Sequence, residues 1–326
     1  MKSKSVTFLC LSLCVVLCVC VLAVLYGERF SLSDGDTSSV VDTASETPST
    51  ASSVVSNTVS SDAADNVSSK DIMEIVKVGP YEIIDPYNTR NVSTEKTAHY
   101  FGVAKDGKPH SASVNFQKLF DSKPQYKALT LDTKSQDKRM YLTFDCGYEY
   151  QNLTSDIMDT LKEKNVKVVF FCTLSYMKSN PDAIRRMIAE GHIVANHSAT
   201  HPDFTKLSRV EIAEEVYKVE KYLKDNFNYS SKFFRFPEGS YSDNTLDVIS
   251  SMGYRSVFWS VAHGDYDENN QPPVDKTFDT ISSRYHPGAV ILLHASSTSN
   301  AAALGQLIDK AHEDGYTFKT LDEYPW

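Results

Sequence analysis

From residue 140 to the C-terminus, short apolar runs alternate with amphipathic stretches, and this alternation constrains the fold more than any other feature of the chain. Runs at 140–144, 167–172, 193–195, 232–236, 256–260, 289–293 and 317–319 read as buried strands. Helical segments separate them. Leu153, Ile157, Met158 and Leu161 share one face of a segment ending near Lys164; Asn180 precedes Pro181 at the start of a helix that stops at Gly191; and Ser208 with Glu211 spells a capping box. Strand followed by helix, repeated, is the pattern of a parallel sheet. Seven such strands fall one short of an ideal barrel, so the pattern predicts an α/β fold built as a distorted, incomplete (β/α) barrel of about seven parallel strands.

In a parallel barrel the reactive groups gather at the C-terminal ends of the strands. Asp145 and Cys146 follow the first run, His197 and His201 the third, Arg235 ends the fourth, Asp265 lies past the fifth, and His294 closes the sixth. All fall on one rim, which makes their co-location more informative than any single motif. His197 and His201 are one turn apart, a spacing that lets two imidazoles reach one metal ion, and Pro202 keeps His201 out of a continuing helix. Arg235-Phe236-Pro237-Glu238-Gly239 joins a strand-end arginine to a rigid proline and a glycine that lets backbone approach a ligand.

Ahead of this region the composition changes three times. Val6–Tyr26 is apolar, preceded by Lys2 and Lys4 and followed by Glu28, Asp34 and Asp36, so residues 1–30 read as a cytoplasmic tip and an uncleaved signal anchor, favoured over a removed signal peptide. The rest of the chain is then expected outside the cell, anchored to the membrane by this helix. Residues 31–70 are rich in Ser and Thr and poor in aromatics, the composition of a disordered tether. Residues 71–139 regain apolar side chains but are broken by Pro80, Pro86, Pro109 and Pro124, and read as an irregular arm against the main domain at 140–326. A net charge of −9 without clustered Lys and Arg argues against nucleic acid as a partner. A monomer is expected.

These residues resemble the polysaccharide deacetylase family, also called the NodB homology domain or family four carbohydrate esterases. Thr143–Gly147 is similar to its first motif, TFDDG; His197–His201 to the second, HSxxH; Arg235–Gly239 to the third, RxPxG; and Leu292–His294 to the fifth. Within the family the likeness is greatest to the delta-lactam-biosynthetic de-N-acetylases of spore peptidoglycan, through Phe144–Glu149, Glu190–Val194, Phe258–Ala262 and Leu292–His294 with Asn300 and Leu304. Two positions depart from the pattern. Cys146 replaces the second acid of the first motif, and Ala262 the first acid of the fourth, with Asp265-Tyr266 where Asp-Trp would stand. The spore-type branch tends to lack the acid in both places.

The resemblance implies that Asp145 is the general base, that His197 and His201 hold a divalent metal, with zinc the expected ion, that Arg235 fixes the base, and that His294 is the general acid; Asp265 is expected among the catalytic residues, and what orients His294 is left open. It also implies substrate-binding roles for Tyr148, Glu149, Pro237, Glu238, Gly239 and Trp259. Cys146 admits three readings, as a third metal ligand, as half of a disulfide with Cys172, or as a buried inert thiol. The expected function is metal-dependent removal of acetyl groups from N-acetylated sugars of peptidoglycan, N-acetylmuramic acid or N-acetylglucosamine. The alternatives are a carbohydrate-binding pseudoenzyme or a deacetylase of another polymer such as chitin or xylan.

Overall fold

The computed structural model describes residues 74–326, so the expected anchor and tether lie outside the described residues. No helix among the described residues is long and apolar enough to cross a membrane. The chain opens with an antiparallel hairpin, β1 (Ile75–Val78) and β2 (Tyr81–Ile84), then a short β3 (Thr97–Ala98), helix α1 (Ser111–Asp121) and β4 (Ala128–Leu129). The alternating region follows: β5 (Arg139–Cys146), α2 (Leu153–Glu163), β6 (Val169–Cys172), α3 (Leu174–Ser179), α4 (Pro181–Ala189) and β7 (Ile193–Asn196). Next come α5 (Arg209–Phe227), β8 (Phe233–Phe234), β9 (Ser240–Tyr241), α6 (Asp243–Ser251) and β10 (Arg255–Val257). The chain ends with α7 (Val274–Ser282), β11 (Ala289–His294), α8 (Thr298–Glu313) and β12 (Thr317–Phe318).

The main sheet runs β11-β5-β6-β7-β8-β10-β4, with every pairing parallel, so the expected incomplete barrel of about seven parallel strands forms. Isolated bridges draw its edges together: Val261, past β10, pairs with Ile291 of β11, and Leu131, past β4, with Ala289. The membership differs from expectation in one strand. The run at 317–319 becomes β12, which leaves the path and pairs with the first residues of β5, while the edge beside β10 is taken by β4 from ahead of residue 140. A strand of two residues carries no readable period.

The pleat sorts the strand residues between two cores. Met140, Leu142, Phe144 and Cys146 of β5 pack outward with Phe170 and Cys172 of β6 against α2 and α8, through Ile157, Met158, Leu161, Leu304 and Ile308. The opposite face carries Tyr141 with Phe171, Phe234, Val257, Val290 and Leu292 in a second core, which also takes in Phe120, Tyr126 and Leu129. The same parity leaves Thr143 and Asp145 on this inner face. Ser208 and Glu211 form the anticipated capping box on α5, and Pro181 opens α4.

Candidate active site

Asp145 sits one residue before the end of β5 and is 8% exposed. Its Oδ1 accepts from Arg235 Nη1 at 2.6 Å, while Oδ2 lies 3.5 Å from His197 Nε2. Arg235 is wholly buried, and a buried guanidinium must have its donors satisfied. Nη2 donates to Thr143 Oγ1 at 2.9 Å, Nε donates to the Val257 carbonyl at 3.1 Å, and the guanidinium carbon lies 4.1 Å over the Phe171 ring. Burial by itself would push the Asp145 carboxyl up, but the charge of Arg235 beside it outweighs burial and holds the group below the usual carboxylate range.

His197 and His201 follow β7 on a loop in which Ser198 and His201 both take positive φ, 69° and 58°. Non-glycine residues need outside support there. Ser198 N–H donates to Asn196 Oδ1 at 2.9 Å, Ala199 and Thr200 N–H donate to Glu215 Oε2 at 3.1 and 2.8 Å, and His201 N–H donates to Ser198 Oγ at 2.9 Å. The loop brings the two rings to a centroid separation of 4.9 Å. His197 Nδ1 lies 2.9 Å from the Arg235 carbonyl, which can only accept, so the proton is on Nδ1 and Nε2 keeps its lone pair. Burial lowers the His197 pKa to about 4, which keeps the ring neutral.

A neutral imidazole fixed through its other nitrogen is the form that binds a metal. Its lone pair faces the Asp145 carboxylate, two acceptors with no proton between them, an arrangement a cation would relieve. Among the described residues, no group of three His, Cys, Asp or Glu side chains is arranged to hold a metal by itself. The donor set therefore fits an ion held by the two imidazoles, with its other positions open to solvent or substrate.

On the neighbouring strand β11, His294 pairs in register with Asp145. Asp265, 1% exposed, organises it: Oδ1 accepts from His294 Nδ1 at 2.8 Å, and Oδ2 accepts from the His294 backbone N–H at 2.8 Å and from Asn300 Nδ2 at 2.5 Å. His263 Nε2 donates to Asn300 Oδ1 at 2.8 Å, which fixes the orientation of that amide. Burial favours a neutral His294, but its hydrogen bond and charge interaction with Asp265, and the charge of Asp145, raise its pKa above the ordinary histidine value. Asp265 therefore supplies the partner of His294 that the sequence pattern left open.

These groups converge on a cleft of about 520 Å³ lined by Asp145, His197, His201, Glu238, Trp259 and His294, together with Phe101, Phe236, Ala262, His263, Tyr266 and Leu292. An adjoining hollow adds Tyr148, Thr173 and Ser296. Of the expected site residues, Arg235 and Asp265 lie behind the lining as supports, and Pro237 and Gly239 are buried in the turn that presents Glu238. His263 and Phe101 were not anticipated. His263 follows a strand end, a signal like that of Asp265, whereas Phe101 comes from the arm and carries no signal.

Two expectations need correction. Glu149 points away from the cleft, accepting from the Thr154 backbone at 3.2 Å at the start of α2 and from the Tyr176 hydroxyl at 3.1 Å, so it braces a helix and does not face substrate. Cys146, one residue beyond Asp145, is turned by the pleat into the outer core, in register with Cys172. Both thiols are free and buried, and burial, then Cys172, pushes the Cys146 pKa well up, against thiolate formation. The geometry favours the inert thiol over the metal-ligand and disulfide readings.

Gly239 adopts φ +65°, and a Cβ there would lie 2.7 Å from Trp259 Cη2 and 3.1 Å from His99 Cβ. Gly239→Ala is therefore expected to destabilise the protein by about 1–3 kcal/mol. Calorimetry should show a lower Tm, and an unchanged Tm would mean that the turn tolerates a side chain.

The polysaccharide deacetylase family model matches residues 132–257. An uncharacterized 30.6 kDa protein of Geobacillus stearothermophilus is 41% identical over 216 residues, covering 66% of this chain and 80% of the relative. The peptidoglycan-N-acetylmuramic acid deacetylase PdaA of Bacillus subtilis is 40% identical over 190 residues, 58% of this chain and 72% of the relative. The solved structure of Bacillus subtilis PdaA, a family 4 carbohydrate esterase, superposes with a TM-score of 0.67 at 35% identity, covering 72% of this chain and 98% of that one. The half-barrel, the rim that carries its reactive groups and these matches place the chain in the polysaccharide deacetylase family, as a hydrolase.

Proposed function

We propose that this enzyme removes acetyl groups from N-acetylated sugars of peptidoglycan, N-acetylmuramic acid or N-acetylglucosamine, at a divalent metal held by His197 and His201. The observation that carries the reading is a pair of groups side by side on the cleft rim. Arg235 holds the Asp145 carboxyl below its usual range, and Asp265 raises the pKa of His294, the register partner of Asp145 on β11. Two titratable groups whose surroundings push them apart mark a base and an acid. Asp145 takes the proton of the water that attacks the acetamide carbon, through Oδ2, since Oδ1 is occupied by Arg235. His294 gives the proton on its Nε2 to the departing amine, because Nδ1 is committed to Asp265. A divalent ion held by His197 and His201 would supply Lewis acidity for the hydrolysis, and nitrogen donors suit zinc.

Support for the substrate comes from the 40% identity to PdaA of Bacillus subtilis, a peptidoglycan-N-acetylmuramic acid deacetylase. An uncleaved N-terminal anchor and a tether would place the domain outside the membrane, within reach of the wall polymer. Acetate and free-amine release from peptidoglycan tests the reading, with chitin and xylan oligomers as comparison substrates. A chelator is expected to abolish release and added zinc to restore it. His197→Ala should lose bound metal while Cys146→Ala keeps it, as read by elemental analysis of the purified protein. Full activity in metal-free enzyme, or metal lost with Cys146, would overturn the assignment of the imidazoles.

A further inference from the structure

Behind the cleft wall formed by Trp259, the arm ahead of residue 140 places a side chain, His99, that the chemistry above does not use. Strand β3 pairs antiparallel with β9, next to the turn that carries Glu238, and the His99 backbone N–H donates to the Gly239 carbonyl at 2.9 Å. The His99 ring lies 4.9 to 5.0 Å from the rings of Phe116, Phe258 and Trp259. Its Nε2 is 2.7 Å from the Trp259 carbonyl, which can only accept, so the proton is on Nε2. Its Nδ1 is shut off from solvent without a hydrogen-bond partner among the described residues. An unpaired buried acceptor opposes stability, so ordinary packing does not account for a histidine at this position.

The backbone that His99 grips also seats Arg235. Arg235 Nε donates to the Val257 carbonyl at 3.1 Å and Nη2 approaches the Phe258 carbonyl at 3.5 Å, immediately ahead of the Trp259 carbonyl held by His99. Phe258 is tied to the arm a second time, its N–H donating to the Leu129 carbonyl of β4 at 2.7 Å. On the other side, Gly239 belongs to the turn that leaves Arg235, and it leaves no room for a Cβ between Trp259 and His99. One residue thus clamps together the two segments whose relative placement sets the direction of the guanidinium toward Asp145, its ring on the Trp259 carbonyl and its backbone N–H on the Gly239 carbonyl.

We propose that His99 is a positioning residue for deacetylation, fixing the 257–259 backbone against the 235–239 turn so that Arg235 meets Asp145 in line. The inference rests on the deacetylase reading. Displacement of catalytic groups by about an ångström is enough to lower turnover about a hundredfold.

His99→Phe keeps the aromatic packing and removes the ring donor, whereas His99→Gln returns an N–H near the position of Nε2. The phenylalanine variant is expected to show kcat lowered about ten- to a hundredfold with KM within about threefold, and the glutamine variant to recover most of the loss. A loss of kcat that follows only the folded fraction measured by calorimetry, or equal losses in both variants, would overturn the proposal. A readout independent of activity is the Arg235 Nε–H proton in NMR, expected to exchange with solvent faster in His99→Phe. An unchanged exchange rate sinks the inference on its own, whereas wild-type protein that releases no acetate from any N-acetylated glycan sinks the deacetylase reading on which it rests.

Discussion

Asp145→Asn is expected to lower the rate of acetate release by about 10²- to 10⁴-fold, the span contributed by a positioned general base. Asparagine keeps the size of the side chain and can still accept from Arg235 Nη1, but it offers no basic lone pair to a water on the Oδ2 side. The substitution also leaves the fully buried Arg235 without its counter-charge, and removing one partner of a buried pair costs about 3–5 kcal/mol. Activity must therefore be expressed per folded molecule, with calorimetry on the same preparation. Residual activity within tenfold of wild type, so corrected, would show that another group takes the proton.

Asp265→Asn is expected to lower kcat about a hundredfold or more, with a change in pH profile that identifies the cause. Activity requires Asp145 deprotonated and His294 protonated. In the wild type the first condition holds from below the ordinary carboxylate range, and the second holds to above the ordinary histidine value, because the two pKa values are pushed apart. The kcat/KM profile should therefore have its alkaline limb above pH 6.5, the unperturbed histidine value. Removing the Asp265 charge takes away the strongest influence that raises the His294 pKa and leaves burial, which lowers it, so the alkaline limb moves toward acid while the acid limb stays near its place. Asparagine can also present its amide N–H to Nδ1, which favours the neutral ring over the protonated acid. A variant with lowered kcat but an unmoved alkaline limb would show that the carboxylate acts on something other than His294.

Much of this site was legible in the chain before any coordinates. Asp145, His197, His201, Arg235 and His294 each end or follow an apolar run, and a parallel sheet brings all such ends to one rim whatever the details of packing. The helix starts at Ser208 and Pro181 were equally plain, because capping chemistry is local. The misreadings share a physical origin. Cys146 and Glu149 lie in the same motif as Asp145, but membership of a motif does not say which way a side chain points. In a strand that direction alternates at every residue, and past the strand end the turn geometry decides it.

What the sequence by itself determined is the alternation of strands and helices, the rim on which the reactive groups sit and the placing of Asp145, His197, His201, Arg235 and His294 along it. These depend on short-range pattern and on the period of the elements. What only the tertiary structure decided is which groups stand behind them. Asp265 and Asn300 are brought to His294, the Val257 carbonyl to Arg235, Phe101 to the cleft wall, His99 to the Trp259 carbonyl and β4 to the edge of the sheet, the last three from a segment with no strand or helix period of its own. Those contacts join residues far apart in the chain, and local propensity carries no record of such pairings because they are set by the closing of the barrel.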